Sequence, residues 1–278
     1  MIVYIIYNNS YYIGKHNYDN QQPATSNQQP ATSNQQPATS NQQPATSNQQ
    51  PATSNQQPAI FVISLKNSSR RNIIAQRFNY FNIPFQFIDA VYGNSLSEEE
   101  LSLVDYEFYP KKYNANKPLT LGEIGCAMSH IKVYQHMVKK NIEQAIIFED
   151  DIIIHHEFNK IITDVLKKVP DRREIIFLDH GKAKSHLFKR NLHENYKLVR
   201  YRSPSKNSKR CIIMADAYLL TLNGAKKLLN LAYPIRMPAD YLTGLLQLNK
   251  LNAYGVEPPC IMRQSLPSEI DQIGDRYD

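Results

Sequence analysis

The sequence predicts an α/β fold built on a mostly parallel sheet, and three observations carry that expectation. Short runs rich in β-branched and aromatic residues recur along the chain, Ile60–Leu65, Ala145–Phe148 and Glu174–Leu178 among them. Segments with apolar residues at helical spacing stand between such runs. The first helical segment has an extended run on each side, a βαβ arrangement that sets neighbouring strands parallel.

After Ile60–Leu65, either Asn67 or Ser68 can cap a helix whose spacing is marked by Ile73, Ile74, Arg77, Phe78 and Phe81. Pro84 opens the next extended run, through Phe85, Phe87 and Ile88. Thr120-Leu121-Gly122-Glu123 has the form of a capping box, so a helix opens there, with Ile124, Ala127, Met128, Ile131, Tyr134 and Val138 as its apolar stripe. Gly122, Gly125, Cys126 and Ser129 form a second face of small residues that lets another backbone come close. A buried strand, Ala145–Phe148, runs into Glu149-Asp150-Asp151 and resumes as Ile152–Ile154. Glu174–Leu178 ends at Asp179-His180-Gly181, Ile212 to Leu220 reads as a strand, Asn223 to Leu229 as a helix, and Asp240 to Leu251 as another.

Residues 1–19 form a short N-terminal segment, 20–59 a repeat and 60–278 the globular domain. The unit Asn-Gln-Gln-Pro-Ala-Thr-Ser occurs five times from Asn20 to Ser54, and a sixth copy stops after Ala59. It has no charge and no large apolar side chain, so it cannot bury enough surface to offset chain entropy, and disorder is expected. Identical copies point to the DNA: the heptanucleotide AACCAGC, read through three frames, encodes this heptapeptide. Gain or loss of one seven-base unit would shift the frame, which makes the protein a candidate for phase variation.

Hydrophobic residues are 42% and charged residues 21%, ordinary values for a globular protein, and the mean hydropathy of −0.50 reflects the polar repeat. A formal charge of +7 and a pI near 9.1 suggest an anionic partner. Cys126, Cys211 and Cys260 are widely spaced and lack any C-x-x-C pair, against a disulfide framework or a zinc ribbon. The apolar start Met1–Tyr7 is far short of the roughly 20 residues of a spanning helix and lacks a signal peptide's basic start. The expectation is a cytoplasmic protein, peripheral at the inner face of the cytoplasmic membrane.

Three adjacent carboxylates between apolar runs call for a cation, because burial and mutual repulsion both disfavour their charged forms. In an extended segment Glu149 and Asp151 point to one side, offering two carboxylates to a hard divalent ion, and Asp150 points to the other. A solvated loop end is the plain alternative. Lys66 to Arg71 brings basic groups to a helix N-terminus at the end of a strand, suited to an anion. Asp240 opens a helix and Asp179 ends a strand; each is either a local cap or turn residue or a general base for an acceptor hydroxyl. His155-His156 have no partners at metal-ligand spacing, and His130 is a ligand-orienting or scaffold residue. From Lys182 to Arg210 ten lysines and arginines face only Glu194, which suits an anionic membrane or a phosphorylated acceptor, or a solvated loop. They lack the regular stacking aromatics of a single-strand nucleic-acid groove, against a nucleic-acid partner.

Leu119 to His130, followed by Ile146-Ile147-Phe148-Glu149-Asp150-Asp151, resembles the glycosyltransferase family 25 signature of bacterial lipooligosaccharide galactosyltransferases. Phe61–Leu65 with Arg70-Arg71, the Tyr218 to Leu229 segment and Pro238-Ala239-Asp240 resemble its other blocks in the same order. Met128 and Ala239 depart from the leucine and valine usual there, without removing a chemical group. The resemblance implies a GT-A-type, Rossmann-like nucleotide-sugar fold and inverting transfer of a hexose, galactose or else glucose, from a UDP-sugar to a lipooligosaccharide. It implies Glu149 and Asp151 for a divalent Mn2+ or Mg2+ ion, and Ser64, Arg70, Arg71, Asp89, Asp150 and His130 for the donor. Asp240 or Asp179 is then the base. The alternatives are a metal-dependent nucleotidyltransferase or a glycan-binding module on a repetitive stalk.

The tract hypothesis has a direct check in the gene. Sequencing codons 20–59 is expected to show an unbroken seven-base period; synonymous codons that break it would leave an ordinary duplicated linker.

Overall fold

The computed structural model describes residues 57–264, with residues 6–7 and 10–11 nearer the N-terminus. The chain divides into two units, Met1–Pro51 and Ala52–Asp278. In the first, β1 (Ile6–Tyr7) pairs antiparallel with β2 (Ser10–Tyr11). The five full copies of the repeat, expected to be disordered, lie outside the described residues, as does 265–278.

The second unit opens with β3 (Ala59–Ser64), which takes in the last residue of the broken sixth copy. α1 (Arg70–Tyr80) leads to β4 (Gln86–Asp89), and β3 and β4 pair parallel, so the βαβ expectation holds. The helix starts slightly later than Asn67 or Ser68 would set it, although the Ser68 hydroxyl accepts from the Arg70 amide at 3.1 Å. Ile74 and Phe78 are its buried stripe, and Ile73 is exposed.

A 3-10 turn at Gly93–Ser95, α2 (Glu98–Leu101) and α3 (Phe108–Tyr113) precede the long α4 (Leu121–Lys139). Thr120 and Glu123 make the expected capping box, each side chain bonding the other's backbone amide. The small face does what its composition implies. A Cβ on Gly125 would stand 2.7 Å from the Val91 carbonyl oxygen, and the Val91 amide donates to the Ser129 hydroxyl at 2.8 Å.

β5 (Gln144–Glu149) and β6 (Ile152–Ile154) follow, then α5 (Phe158–Lys168), β7 (Ile175–Phe177), β8 (Ser185–Asn191), β9 (Lys197–Tyr201) and β10 (Ala217–Thr221). The chain continues through α6 (Leu222–Ala232), α7 (Ala239–Gly244), α8 (Leu246–Asn249), β11 (Ala253–Glu257) and β12 (Ile261–Arg263). The main sheet has the order β4-β3-β5-β10-β7-β11-β9-β8, and β12 pairs with β6 outside it. Its pairings make β10 and β9 run against the other six strands, so the sheet is mostly parallel in direction and mixed in its ladders.

Three expected elements are corrected. Ile212–Asp216 is not part of a strand: Met214 takes a left-handed φ of 77°, which ends any regular ladder before β10. The helix read from Asp240 to Leu251 is two short helices, broken at Leu245, where ψ is 73°. The basic stretch is no simple loop, because β8 and β9 within it form an antiparallel hairpin at the sheet edge.

The sheet divides the core. Ile63, Ile147, Phe177 and Tyr218 face α4 and α6, whereas Val62, Phe148, Leu178 and Ala217 face α1 and α5. Strand residues alternate between these layers, so the face of any residue at a strand end can be read from its neighbours.

Candidate active site

β5, β10 and β7 end in register. The Glu149 amide donates to the Asp216 carbonyl at 2.9 Å, and the Leu178 and Asp179 amides both donate to the Ala217 carbonyl at 3.0 and 3.2 Å. Glu149, Asp216 and Asp179 therefore stand side by side, two residues beyond or before Ile147, Tyr218 and Phe177, on the face that carries α4.

α4 locks the first of them. His130 is buried, with Nε2 3.1 Å from Glu149 Oε1 and Nδ1 2.8 Å from the Tyr218 hydroxyl, which lies 2.8 Å from that of Tyr134. With Glu149 ionised, Nε2 donates to its carboxylate, and His130, Tyr218 and Tyr134 form one hydrogen-bonded chain behind it. Burial pushes the Glu149 carboxyl up, but the hydrogen bond and charge of His130 outweigh it, with help from Arg263 and Cys126, and hold it below the ordinary carboxylate value.

The other two acids of the triplet leave the extended path, since the chain turns at Asp150 and Asp151. Asp150 accepts from the Ser64 hydroxyl at 2.5 Å and pairs with Arg70 at 3.3 Å. The same guanidinium atom lies 3.9 Å from Asp151 Oδ2, which also accepts from Arg263 Nε at 3.1 Å. Glu149 and Asp151 thus do not share one simple face; a turn and two arginines separate their settings. Arg71 bonds the Ser64 carbonyl at 2.8 Å and the Asp89 carboxylate at 2.5 Å, clamping the ends of β3 and β4, and its hydrogen bond holds Asp89 below the usual carboxylate range.

Four of the acids are pushed the other way. Burial, then the nearby Glu149 charge, raises Asp151, and burial raises Asp179. Asp240 lies in the first turn of α7, behind the N-cap Pro238; burial raises it against hydrogen bonds from the Met214 and Tyr241 amides. Asp216, 4% exposed, is pushed up to about 8 by burial and by Glu149, with Asp151 and Asp179 adding to the effect and Arg263 opposing it. Asp151 Oδ1, Asp179 Oδ2 and Asp216 Oδ2 are buried without a hydrogen-bond partner among the described residues.

Orphaned carboxylate oxygens of this kind fit a hard divalent ion, which takes oxygen ligands. Among the described residues two groups bring three ligand atoms within 4.8 Å of one another, Cys126-His130-Glu149 and His156-Glu157-Glu194. The first is closed by its own bonds, with the Cys126 thiol pushed well up by burial and kept neutral. The second corrects the expectation that His156 lacks partners: the fold brings Glu157 and Glu194 to it, and Glu157 is paired with Lys160 and His193 at 2.7 and 2.8 Å.

The structure thus unites Glu149, Asp151, Asp179 and His130 around one centre, with Ser64, Arg70 and Asp150 on the neighbouring strand ends. Arg71 and Asp89 form a clamp beside them, and Asp240 approaches through the Met214 loop. Sequence reasoning missed Asp216, Tyr218 as a hydrogen-bonding group, and Arg263. Asp216 had a signal, an acid directly before the apolar run Ala217–Leu220. Arg263 had none, because only the β6–β12 pairing brings it to Asp151.

The family model described as glycosyltransferase family 25 (LPS biosynthesis protein) matches residues 57–243. A procollagen galactosyltransferase 1-A of Xenopus laevis is 29% identical over 196 residues, 65% of this chain and 30% of that protein. A lipooligosaccharide biosynthesis protein, lic2B, of Haemophilus influenzae is 35% identical over 105 residues, 37% of each chain. A glycosyltransferase 25 family member of Aedes aegypti is 33% identical over 110 residues, 38% of this chain and 18% of that protein. The chain therefore spans only a minor part of the length of these curated relatives.

The raised Asp216 carboxyl has a stability consequence. A folded-state value above the unfolded one gives a contribution fully present below about pH 4 and lost as pH rises towards about 8. In chelator, Asp216→Asn is expected to melt about 5 °C above the wild type at pH 8, with the gap closing towards pH 4. Added Mn2+ should raise the wild-type midpoint more than the variant's. A pH-independent gap in thermal scans would remove Asp216 from the acidic group.

Proposed function

The chain belongs to glycosyltransferase family 25, and from that premise we propose that it transfers a hexose from a UDP-sugar to a lipooligosaccharide with inversion, on a GT-A-type fold. Galactose is the first choice and glucose the second. The relatives named for lipooligosaccharide biosynthesis and for galactosyl transfer support the acceptor and the donor. The observation that carries the reading is the acidic row at the ends of β5, β10 and β7, with buried carboxylate oxygens left unpartnered. Such a row answers the need to bind a cation and a departing diphosphate together.

A divalent Mn2+ or Mg2+ ion held by Glu149 and Asp151, with Asp216 beside them, would supply positive charge to the departing UDP. The rest falls to the chain. His130 and Tyr218 hold the Glu149 carboxylate in one orientation. Among the described residues Arg263 bonds Asp151 through Nε, which leaves the two terminal nitrogens of the guanidinium to bond phosphate oxygens. Ser64 and Arg70 set Asp150 on the donor side, and Asp89 orders Arg71 there. Asp240, raised by burial, takes the proton of the acceptor hydroxyl as it attacks the anomeric carbon, with Asp179 as the alternative base.

The same reading places the protein at the cytoplasmic face of the inner membrane, with its amount switched by the heptanucleotide tract. The β8–β9 hairpin supports membrane contact. Its register advances four residues from Ser185 to Lys189 while β9 moves only two, so the intervening residues bulge out. Leu187 and Phe188 in that bulge are 95% and 92% exposed, between Lys184 and Arg190. An apolar tip among cations suits an anionic lipid surface. Among the described residues no helix is long and apolar enough to cross a membrane.

With purified protein, UDP-galactose or UDP-glucose and deacylated lipooligosaccharide, UDP release is expected to fall about 10²- to 10⁴-fold in kcat for Asp240→Asn, and by a similar factor for Glu149→Gln. Full turnover by the Asp240 variant would move the base to Asp179. No release from any nucleotide sugar would sink the transfer reading.

Cosedimentation with phosphatidylglycerol vesicles tests the surface. The double variant Leu187→Ser, Phe188→Ser should bind about tenfold less, and wild-type binding should weaken with salt. Equal binding by both proteins would refute the bulge as the contact.

A further inference from the structure

Lys182, Lys184, Arg202 and Arg210 border one shallow recess, whose lining also includes Ile212 and Gly244. Among the described residues no carboxylate pairs with any of these four side chains, although cations elsewhere find partners, Lys189 with Glu257 at 2.6 Å and Lys227 with Glu174 at 2.7 Å. Like charges gathered around one recess without an acid repel each other, and low-dielectric walls focus their field outward.

The cleft is held by backbone bonds from several elements. The Gly181 and Ile213 backbones exchange hydrogen bonds of 3.0 and 3.1 Å just before Lys182, which takes a left-handed φ of 57°. The Arg202 amide donates to the Lys184 carbonyl at 3.0 Å. The Gln247 side chain donates to the Ser208 and Arg210 carbonyls at 2.9 and 3.1 Å. The Ile212 amide donates to the Gly244 carbonyl at 3.2 Å, and a Cβ on Gly244 would collide with the Ile212 carbonyl oxygen.

Its place relative to the transfer site is set by the same loop. Cys211 Sγ lies 3.6 Å from the Asp240 carbonyl oxygen, so the cleft abuts the helix turn that carries the proposed base. The donor-side residues Ser64 and Arg70 belong to β3 and α1, whereas the cleft draws on the loop after β7, the start of β8 and the loop after β9, laterally beyond β5 and β10. An anion bound here lies away from the donor-side residues and is linked to the α7 turn of Asp240 through Cys211.

We propose that this cleft is an acceptor subsite that binds an anionic substituent of the glycan, a phosphate ester or an acidic-sugar carboxylate, next to the sugar presented to Asp240. The inference rests on the transferase reading above and adds the charge class of the acceptor. Four cations around one shallow recess attract such a group electrostatically and leave neutral glycans without that attraction.

Calorimetric titration with deacylated, phosphorylated lipooligosaccharide tests it, comparing wild type with Lys184→Glu, Arg202→Glu. Oligosaccharide affinity is expected to fall about tenfold or more while UDP affinity changes less than about twofold. The neutral pair Lys184→Gln, Arg202→Gln, with its melting point checked, should show a smaller loss in the same direction. Hydrofluoric acid treatment of the oligosaccharide removes phosphate, and carboxyl reduction removes the other source; the treatment that erases the wild-type advantage identifies the bound group. Unchanged oligosaccharide affinity overturns the proposal. So does a parallel loss of UDP affinity, which would make the cleft a donor site, or a loss seen only on phosphatidylglycerol vesicles. A wild type that binds the oligosaccharide in this charge-dependent way yet releases no UDP would defeat the transferase reading and leave the anion site standing.

Discussion

Three carboxylates placed side by side at the ends of hydrogen-bonded strands, and withdrawn from water, repel one another and lose hydration. Glu149, Asp216 and Asp179 are in that position, and the surrounding structure answers the demand for positive charge. Arg263 and Arg70 reach Asp151, and His130 reaches Glu149. These groups leave three buried oxygens unsatisfied, and that remaining deficit separates a binding centre from a completed ion cluster.

The scaffold around the row is stiff where the chemistry needs a fixed carboxylate. The α4 small face lets residues 91–93 pack against the helix backbone, and its buried face sends His130 and Tyr134 to Tyr218 on β10. Each polar atom in that chain has a partner, so a buried network that would otherwise be costly instead sets the orientation of Glu149. Beside the row, the Met214 loop and the broken α7–α8 pair are shaped by close backbone approach at Gly244.

The sheet order separates two kinds of charge. The acids and the arginines that pair with them lie at the ends of β3, β5, β10 and β7, whereas cations without a carboxylate partner among the described residues gather near the start of β8 and the end of β9. By register through β11, the start of β8 and the end of β9 lie at the edge where β7 begins, so the two charge groups sit at opposite sheet edges, with Asp240 near the basic cleft and sensing the Glu149 charge.

Local pattern in the sequence was enough for the βαβ start, the capped α4 helix with its small face, and the acidic triplet at a strand end, because each is written in adjacent residues through propensity, capping and alternation. The family signature lay in the same short blocks. Pattern failed where distant contacts override propensity: the apolar run from Ile212 is bent out of a strand at Met214, and the helix after Asp240 is broken beside Gly244. It could not find Arg263 or the four-cation cleft, whose members are gathered by strand pairing and loop packing, and Asp216, marked only as an acid before an apolar run, gained its place from pairing with β5 and β7. The sequence by itself determined the fold class and the acids at the heart of the site. Only the tertiary structure decided which charges neutralise them, because electrostatic partnership depends on separation in space, and residues remote in the chain acquire that separation only when the sheet forms.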